Sequence, residues 1–191
     1  MNNSWQITTR RLELLPCSLE VAEGVARKNK SLVEELLGVK VPDDWYASEV
    51  LDFFPIYAQM LLNDPSHLGW GVWLMIHLED STLIGDLGFG GKPDEQGTVE
   101  MGYEVLPAYR HQGYAFEAVE ALVNFAFTQP ELQKIISYCP QDHPASIRIL
   151  EKLGMKNLAR FDSPDYPSAP ILTWEMELES KSGSQSLTQN L

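Results

Sequence analysis

Cysteine is nearly absent from this chain: Cys17 and Cys139 are the only two. Two thiols without motif spacing build neither a disulfide framework nor a metal site. Cys139 lies in an apolar run and reads as a small buried hydrophobe, which fits a reducing cytoplasm. Histidine is almost as scarce, with four copies. His67 and His77 show no ligand spacing, so no metal is expected. Positive charge is also in short supply. The chain has 14 Lys and Arg against 27 Asp and Glu, a net charge of −13. An acidic surface repels phosphate backbones and anionic bilayers, so neither nucleic acid nor a membrane is an expected partner. It suits a cationic ligand such as an amine, although acidity also serves solubility. No stretch approaches the roughly 20 apolar residues that span a bilayer. Met1-Asn2-Asn3-Ser4-Trp5 lacks the charged start and apolar core of a signal peptide.

What remains is globular in character. Hydrophobic residues make up 44% and charged residues 21% of 191, which supports one core and is short for two. One domain is expected over residues 1–179. The Ser/Gly/Gln-rich segment 180–191 is expected to be a flexible tail. Thr8–Leu15 alternates and stops at Pro16, predicting a first strand. Helical stretches follow Ser18 and Ser31, the latter with a Ser31–Glu34 capping-box pattern. A longer helix is expected from Asp44 to about Leu62, kinked or divided at Pro55. Trp70–Leu78, Thr82–Gly90 and Thr98–Leu106 read as an antiparallel meander. A helix after Gly113 presents Ala115, Ala118, Val119, Leu122, Val123, Ala126 and Phe127 on one face. Lys134–Cys139 is a short strand, and Pro144 opens a helix ending at Gly154. Met155–Phe161 and Pro170–Leu178 form a final pair of strands. The unit from Thr98 to Cys139 should be a crossover joining parallel strands. The fold class is therefore α+β (mixed α/β), a central mixed sheet of about seven strands with helices on both faces.

The segment Glu100-Met101-Gly102-Tyr103-Glu104-Val105-Leu106-Pro107-Ala108-Tyr109-Arg110-His111-Gln112-Gly113-Tyr114-Ala115 is the most informative. It reads as a strand broken at Pro107, a tight loop and a helix start. A helix start offers unpaired N–H groups and the positive end of the macrodipole. Small residues at Gly113 and Ala115 allow an anion close approach. A phosphate-bearing ligand is one reading; a turn eased by glycine is the other.

The order of elements, with three blocks of residues, resembles the GNAT superfamily of acyl-CoA-dependent N-acetyltransferases, and within it the RimJ/RimL type that acetylates ribosomal-protein N-termini. The blocks are Thr8-Thr9-Arg10-Arg11-Leu12-Glu13-Leu14, the segment Glu100–Ala115, and His143-Pro144-Ala145-Ser146-Ile147-Arg148-Ile149-Leu150-Glu151-Lys152-Leu153-Gly154-Met155. The resemblance covers roughly Thr8 to Glu179. Its Arg/Gln-x-x-Gly-x-Gly/Ala motif falls on Arg110, Gly113 and Ala115, which implies that the backbone of Arg110, His111, Gln112, Gly113, Tyr114 and Ala115 binds the coenzyme A pyrophosphate. It also implies that the strand end at Glu104, Val105 and Leu106 pairs with the pantetheine arm. His143 stands where this branch usually has Asn, with Ser146 retained. His143 is read either as a contact to the cofactor arm or as a helix cap.

Acetyl transfer to an amine needs deprotonation of the ammonium, a donor for the oxyanion and an acid for the thiolate. Glu100 and Glu104 are the base candidates, since their even spacing places both on one face of a strand. They also read as solvent-facing strand residues or as attractors for a cation. Ser146 or Tyr138 is the candidate acid, with Ser146 favoured by the motif. The implied activity is direct transfer from acetyl-CoA to a primary amine, on a small molecule or a peptide or protein N-terminus, with no metal. A homodimer is compatible with this reading. A non-catalytic coenzyme A binder or an interaction module on the same fold is the alternative.

Overall fold

The computed structural model describes residues 5–47 and 49–178. The expected tail at 180–191 lies outside them. Among the described residues, eight strands form one sheet: β1 (Ile7–Thr8), β2 (Leu12–Pro16), β3 (Val72–His77), β4 (Thr82–Phe89), β5 (Thr98–Val105), β6 (Lys134–Pro140), β7 (Lys156–Ser163) and β8 (Tyr166–Glu177). Their spatial order is β1-β2-β3-β4-β5-β6-β8-β7. β5 and β6 pair in parallel and the other neighbours pair antiparallel. The helices are α1 (Leu19–Ala26), α2 (Lys30–Leu37), α3 (Phe54–Asn63), α4 (Tyr114–Ala126) and α5 (Pro144–Lys152).

The expected class and meander hold, with local differences. The first strand divides at Thr9-Arg10-Arg11 into β1 and β2, which brings the strand count to eight. The helix expected from Asp44 starts only at Phe54, after two 3₁₀ segments at Asp43–Ala47 and Glu49–Phe53. Pro55 lies in the first turn of α3, where its missing N–H breaks no helical bond. It therefore opens the helix and does not kink it. α2 starts two residues earlier than the Ser31 pattern indicated: Asn29 is its cap and accepts from Leu32 N–H at 3.3 Å. Ser18 caps α1 through Val21 N–H at 3.4 Å.

Both faces of the central strands are covered, which is why β3 reads as a continuous apolar run and not an alternating one. Trp73, Met75, Leu87 and Met101 pack with Ala118, Val119 and Leu122 of α4. Val72, Leu74 and Ile76 point the other way, into a second core with Val21, Val25, Phe54, Tyr57 and Trp45. α4 thus lies against one face, and α1 to α3 lie against the other.

Leu122 is fully buried at the centre of the first core. Leu122→Ala is expected to cost about 2–5 kcal/mol of unfolding free energy. The check is a lower urea midpoint with an unchanged slope.

Candidate functional site

The site begins where the sheet parts. The parallel ladder between β5 and β6 holds for three register pairs, Thr98–Lys134, Val99–Ile135 and Glu100–Ile136. Beyond Glu100, β5 stays with β4 while β6 follows β8. Two side-chain bonds bridge the opening from β5. Ser137 Oγ donates to the Met101 carbonyl at 3.0 Å, and Tyr103 OH lies 2.8 Å from Ser146 Oγ at the start of α5. Burial pushes the Tyr103 phenol up to about 12; the Ser146 hydrogen bond opposes this and Cys139 adds to it. Ser146 is further tied by its own N–H, which donates to His143 Nδ1 at 3.1 Å. His143 is thus the N-cap of α5.

The loop from β5 to α4 forms the second part. His111 has φ +61° and Gly113 has φ +84°. These left-handed residues turn the chain sharply, and glycine takes that conformation without the penalty a Cβ carries. The N–H groups of His111 through Phe116 have no hydrogen-bond partner among the described residues. Glu117 N–H is the first of α4 to close, onto the Gly113 carbonyl at 3.1 Å. A row of free amides at the positive end of a 13-residue helix is suited to an anion.

This loop is anchored by contacts that pattern reading missed. Arg11 bonds the Gln112 carbonyl through Nη1 at 2.9 Å and Glu117 through Nε at 2.7 Å, and it covers the Tyr114 ring at 4.2 Å. Thr9 Oγ1 and Arg11 N–H also donate to Glu117, at 2.7 and 2.9 Å. Burial works against ionisation of Glu117, but these bonds outweigh it and hold its carboxyl below the ordinary value. Tyr109 OH donates to Asp80 at 3.0 Å, and Tyr114 OH lies 3.0 Å from His77 Nε2. Both ends of the loop are therefore fixed to the sheet. Arg11 lies in the Thr8–Leu14 block, but with Arg10 beside it and Thr8, Thr9 and Glu13 also polar, local pattern gave no sign of which arginine is used.

The Arg110 side chain lies at the end of β5. Its Nε donates to the Val105 carbonyl at 2.8 Å and its Nη2 reaches Glu104 at 3.3 Å. The guanidinium thus rests on the strand end, beside the loop and not over it. Glu104 is engaged in this exposed pair, while Glu100 lines a cavity on the α1–α3 face of the sheet. The even spacing put both on one face, as expected, but the structure separates their surroundings.

That cavity is the third part. It measures about 260 Å³, and Phe53, Val72, Asp86, Gly88, Glu100 and Gly102 are among its walls. A Cβ built on Gly102 would meet nothing within 4 Å, so the absent side chain is what keeps the space open. Partial burial raises the Glu100 carboxyl above its ordinary value. Asp86, which the sequence reading did not single out, is 5% exposed and accepts from Trp45 Nε1 at 2.9 Å. It stands directly opposite Glu104 in the β4–β5 ladder. Burial pushes the Asp86 carboxyl up to about 7; the Trp45 indole opposes this, and the Glu104 charge adds to it.

The sign of this shift sets a stability prediction. A carboxyl raised on folding favours the folded state fully below its unfolded value, near 4, and loses that contribution as pH rises to about 7. Asp86→Asn keeps an acceptor for Trp45 and removes the ionisation. Its unfolding free energy should exceed that of the parent by a margin that grows from pH 4 to pH 7 and then levels, at most on the order of 4 kcal/mol. Urea titrations across that range measure it.

Comparison with known proteins agrees with this layout. The family model described as an acetyltransferase (GNAT) domain matches residues 11–156. The uncharacterized N-acetyltransferase YjdG of Bacillus subtilis (strain 168) is 27% identical over 148 residues, covering 78% of this chain and 88% of that protein. Among solved structures, the ribosomal-protein-S5-alanine acetyltransferase of Vibrio fischeri superposes with a TM-score of 0.68 at 13% identity, covering 92% of this chain and 97% of that one. RimL, the ribosomal L7/L12 alpha-N-protein acetyltransferase solved with coenzyme A, gives 0.65 at 15% identity, covering 91% and 98%. The family match spans most of the chain, and the parted sheet with its anion-ready loop fits it: this chain belongs to the GNAT acetyltransferase family and is an acyltransferase.

Proposed function

We propose that the protein transfers an acetyl group from acetyl-CoA directly to a primary amine in a ternary complex, in the cytoplasm. The observation that carries this reading is the row of unpartnered amides from His111 to Phe116 beside the gap between β5 and β6. Those amides suit a pyrophosphate, and Ala115 keeps the approach uncrowded. The gap leads from them toward Tyr103 and Ser146. An extended arm there adds to the edge of β5 at Val105 and Leu106. Arg110 leaves the Val105 carbonyl for the phosphates as that arm arrives; its half-exposed side chain is free to swing.

The bound thioester supplies an acyl carbonyl with a fair leaving group. The chain's own residues supply the rest. The Tyr103–Ser146 pair holds a proton for the departing sulfur, with Ser146 oriented by the His143 cap. Glu100 and Glu104 make the β5 face anionic, which draws an ammonium. The RimJ/RimL likeness favours an N-terminal α-amine as acceptor, while pocket chemistry decides the substrate more than fold does.

The test is acetyl-CoA turnover on a panel of amines, together with the thermal shift produced by coenzyme A. Thiol release with at least one amine and a clear stabilisation are expected. Stabilisation without release on a broad panel would favour a non-catalytic coenzyme A binder. Gly113→Ala places a Cβ at φ +84°. It is expected to cost about 1–2 kcal/mol of stability and to weaken coenzyme A binding several-fold by calorimetry.

A further inference from the structure

We infer that Asp86 is the residue that takes the proton from the acceptor amine, and that the acceptor is an ammonium with no carboxylate beside it. This rests on the transferase reading above and names the chemistry on its acceptor side. Asp86 lies in the wall of the cavity with Glu100 and is otherwise enclosed. Trp45 Nε1 is its one hydrogen-bond donor among the described residues. Purely structural buried carboxylates are normally satisfied by several donors or by a cation. This one has a single donor and faces a space large enough for a slender amine.

The surroundings decide which ligand chemistry fits. From β5, Glu100 and Glu104 face the same side as Asp86, with Glu104 held by Arg110. From the β2 end comes Cys17, and from α3 comes Tyr57, whose hydroxyl donates to the Cys17 carbonyl at 3.0 Å. Burial raises both the thiol and the phenol, so neither carries charge near neutrality. From β3, the residue opposite Asp86 is the apolar Leu74. No Lys or Arg is among the described residues that line the cavity. An ammonium therefore meets two carboxyls there, while a carboxylate on a neighbouring carbon would meet like charge and no cation among the described residues of the wall. Free α-amino acids are excluded; amines, amino sugars and peptide N-termini are admitted.

Ionised Asp86 accepts one proton from the ammonium and becomes a neutral acid. The freed nitrogen lone pair attacks the thioester carbonyl, forming C–N, and the C–S bond breaks. The departing sulfur takes its proton from the Tyr103–Ser146 pair, which regains one as the amide nitrogen sheds its second. Asp86 returns its proton to water through the cavity. Below neutrality Asp86 is protonated and cannot accept, so turnover rises with pH through the region near 7.

The test uses the full chain with acetyl-CoA and n-butylamine, glycinamide or glycine as acceptor. Acetylation of the first two and not of glycine is expected, with kcat/KM rising to a plateau through an inflection near pH 7. Asp86→Asn should lower kcat by roughly 10²–10⁴-fold while the coenzyme A thermal shift persists. Trp45→Phe removes the N–H that favours the ionised form, so its inflection should move to higher pH. That movement separates a proton acceptor from a merely structural carboxylate, and it remains readable if Asp86→Asn folds poorly. Asp86→Asn within threefold of the parent, an inflection unmoved in Trp45→Phe, or glycine as good an acceptor as glycinamide would each overturn the assignment and leave the transferase reading standing. No transfer to any amine despite coenzyme A binding would remove that reading and this assignment together.

Discussion

The divergence of β5 from β6 after Glu100 is the constraint on which the rest of the structure depends. A sheet that stayed paired there would offer no edge and no gap. Backbone groups released from a ladder must find partners or water. Here Ser137 satisfies the Met101 carbonyl, and Tyr103 reaches Ser146 across the opening. The gap is held open at its root by three parallel register pairs and flanked by covered core on both faces. Rigid walls fix its width, so the residues on either side keep their spacing without relying on loop order.

Charge is distributed to match. The chain is strongly acidic overall, yet the start of α4 gathers free amides and the Arg11 guanidinium. Glu117 in the first turn of that helix would oppose an anion if left unpaired. Arg11 and Thr9 occupy both of its oxygens, so the negative charge is consumed locally and the amides remain available. The cavity beyond keeps its own carboxyls, Asp86 and Glu100, without a cation lining it. One sign of ligand charge is accommodated at each end.

Much of this was legible in the sequence, for identifiable reasons. α4 and its apolar face followed from a 3.6 period, and the meander followed from turn residues between apolar runs. The loop at Arg110–Ala115 was visible because glycine marks both a turn and a close approach. Asp86 was not visible. It lies within Thr82–Phe89, a strand that reads as apolar and glycine-loosened, and its surroundings come from Trp45, 41 residues earlier, and from its register against Glu104. Register and long-range contacts are set by packing, not by local pattern. The division at Thr9–Arg11 escaped for the same reason, since the turn exists to present Arg11 to a helix more than a hundred residues away. Pro55 divides the expected helix and does not kink it, because proline begins a helix as well as it breaks a helix interior.

The position of Arg110 has a thermodynamic corollary. Its Nε already donates to the Val105 carbonyl, so the last rung of β5 is in use before any guest arrives. A chain that extends the sheet at this point swaps one donor for another there and gains little from the exchange itself. The surplus must come from groups that begin without partners, and the amides ahead of α4 are such groups among the described residues. On the transferase reading proposed above, affinity is thereby weighted toward the phosphate end of a long guest, and the end near the reacting atoms is left lightly held and free to turn over.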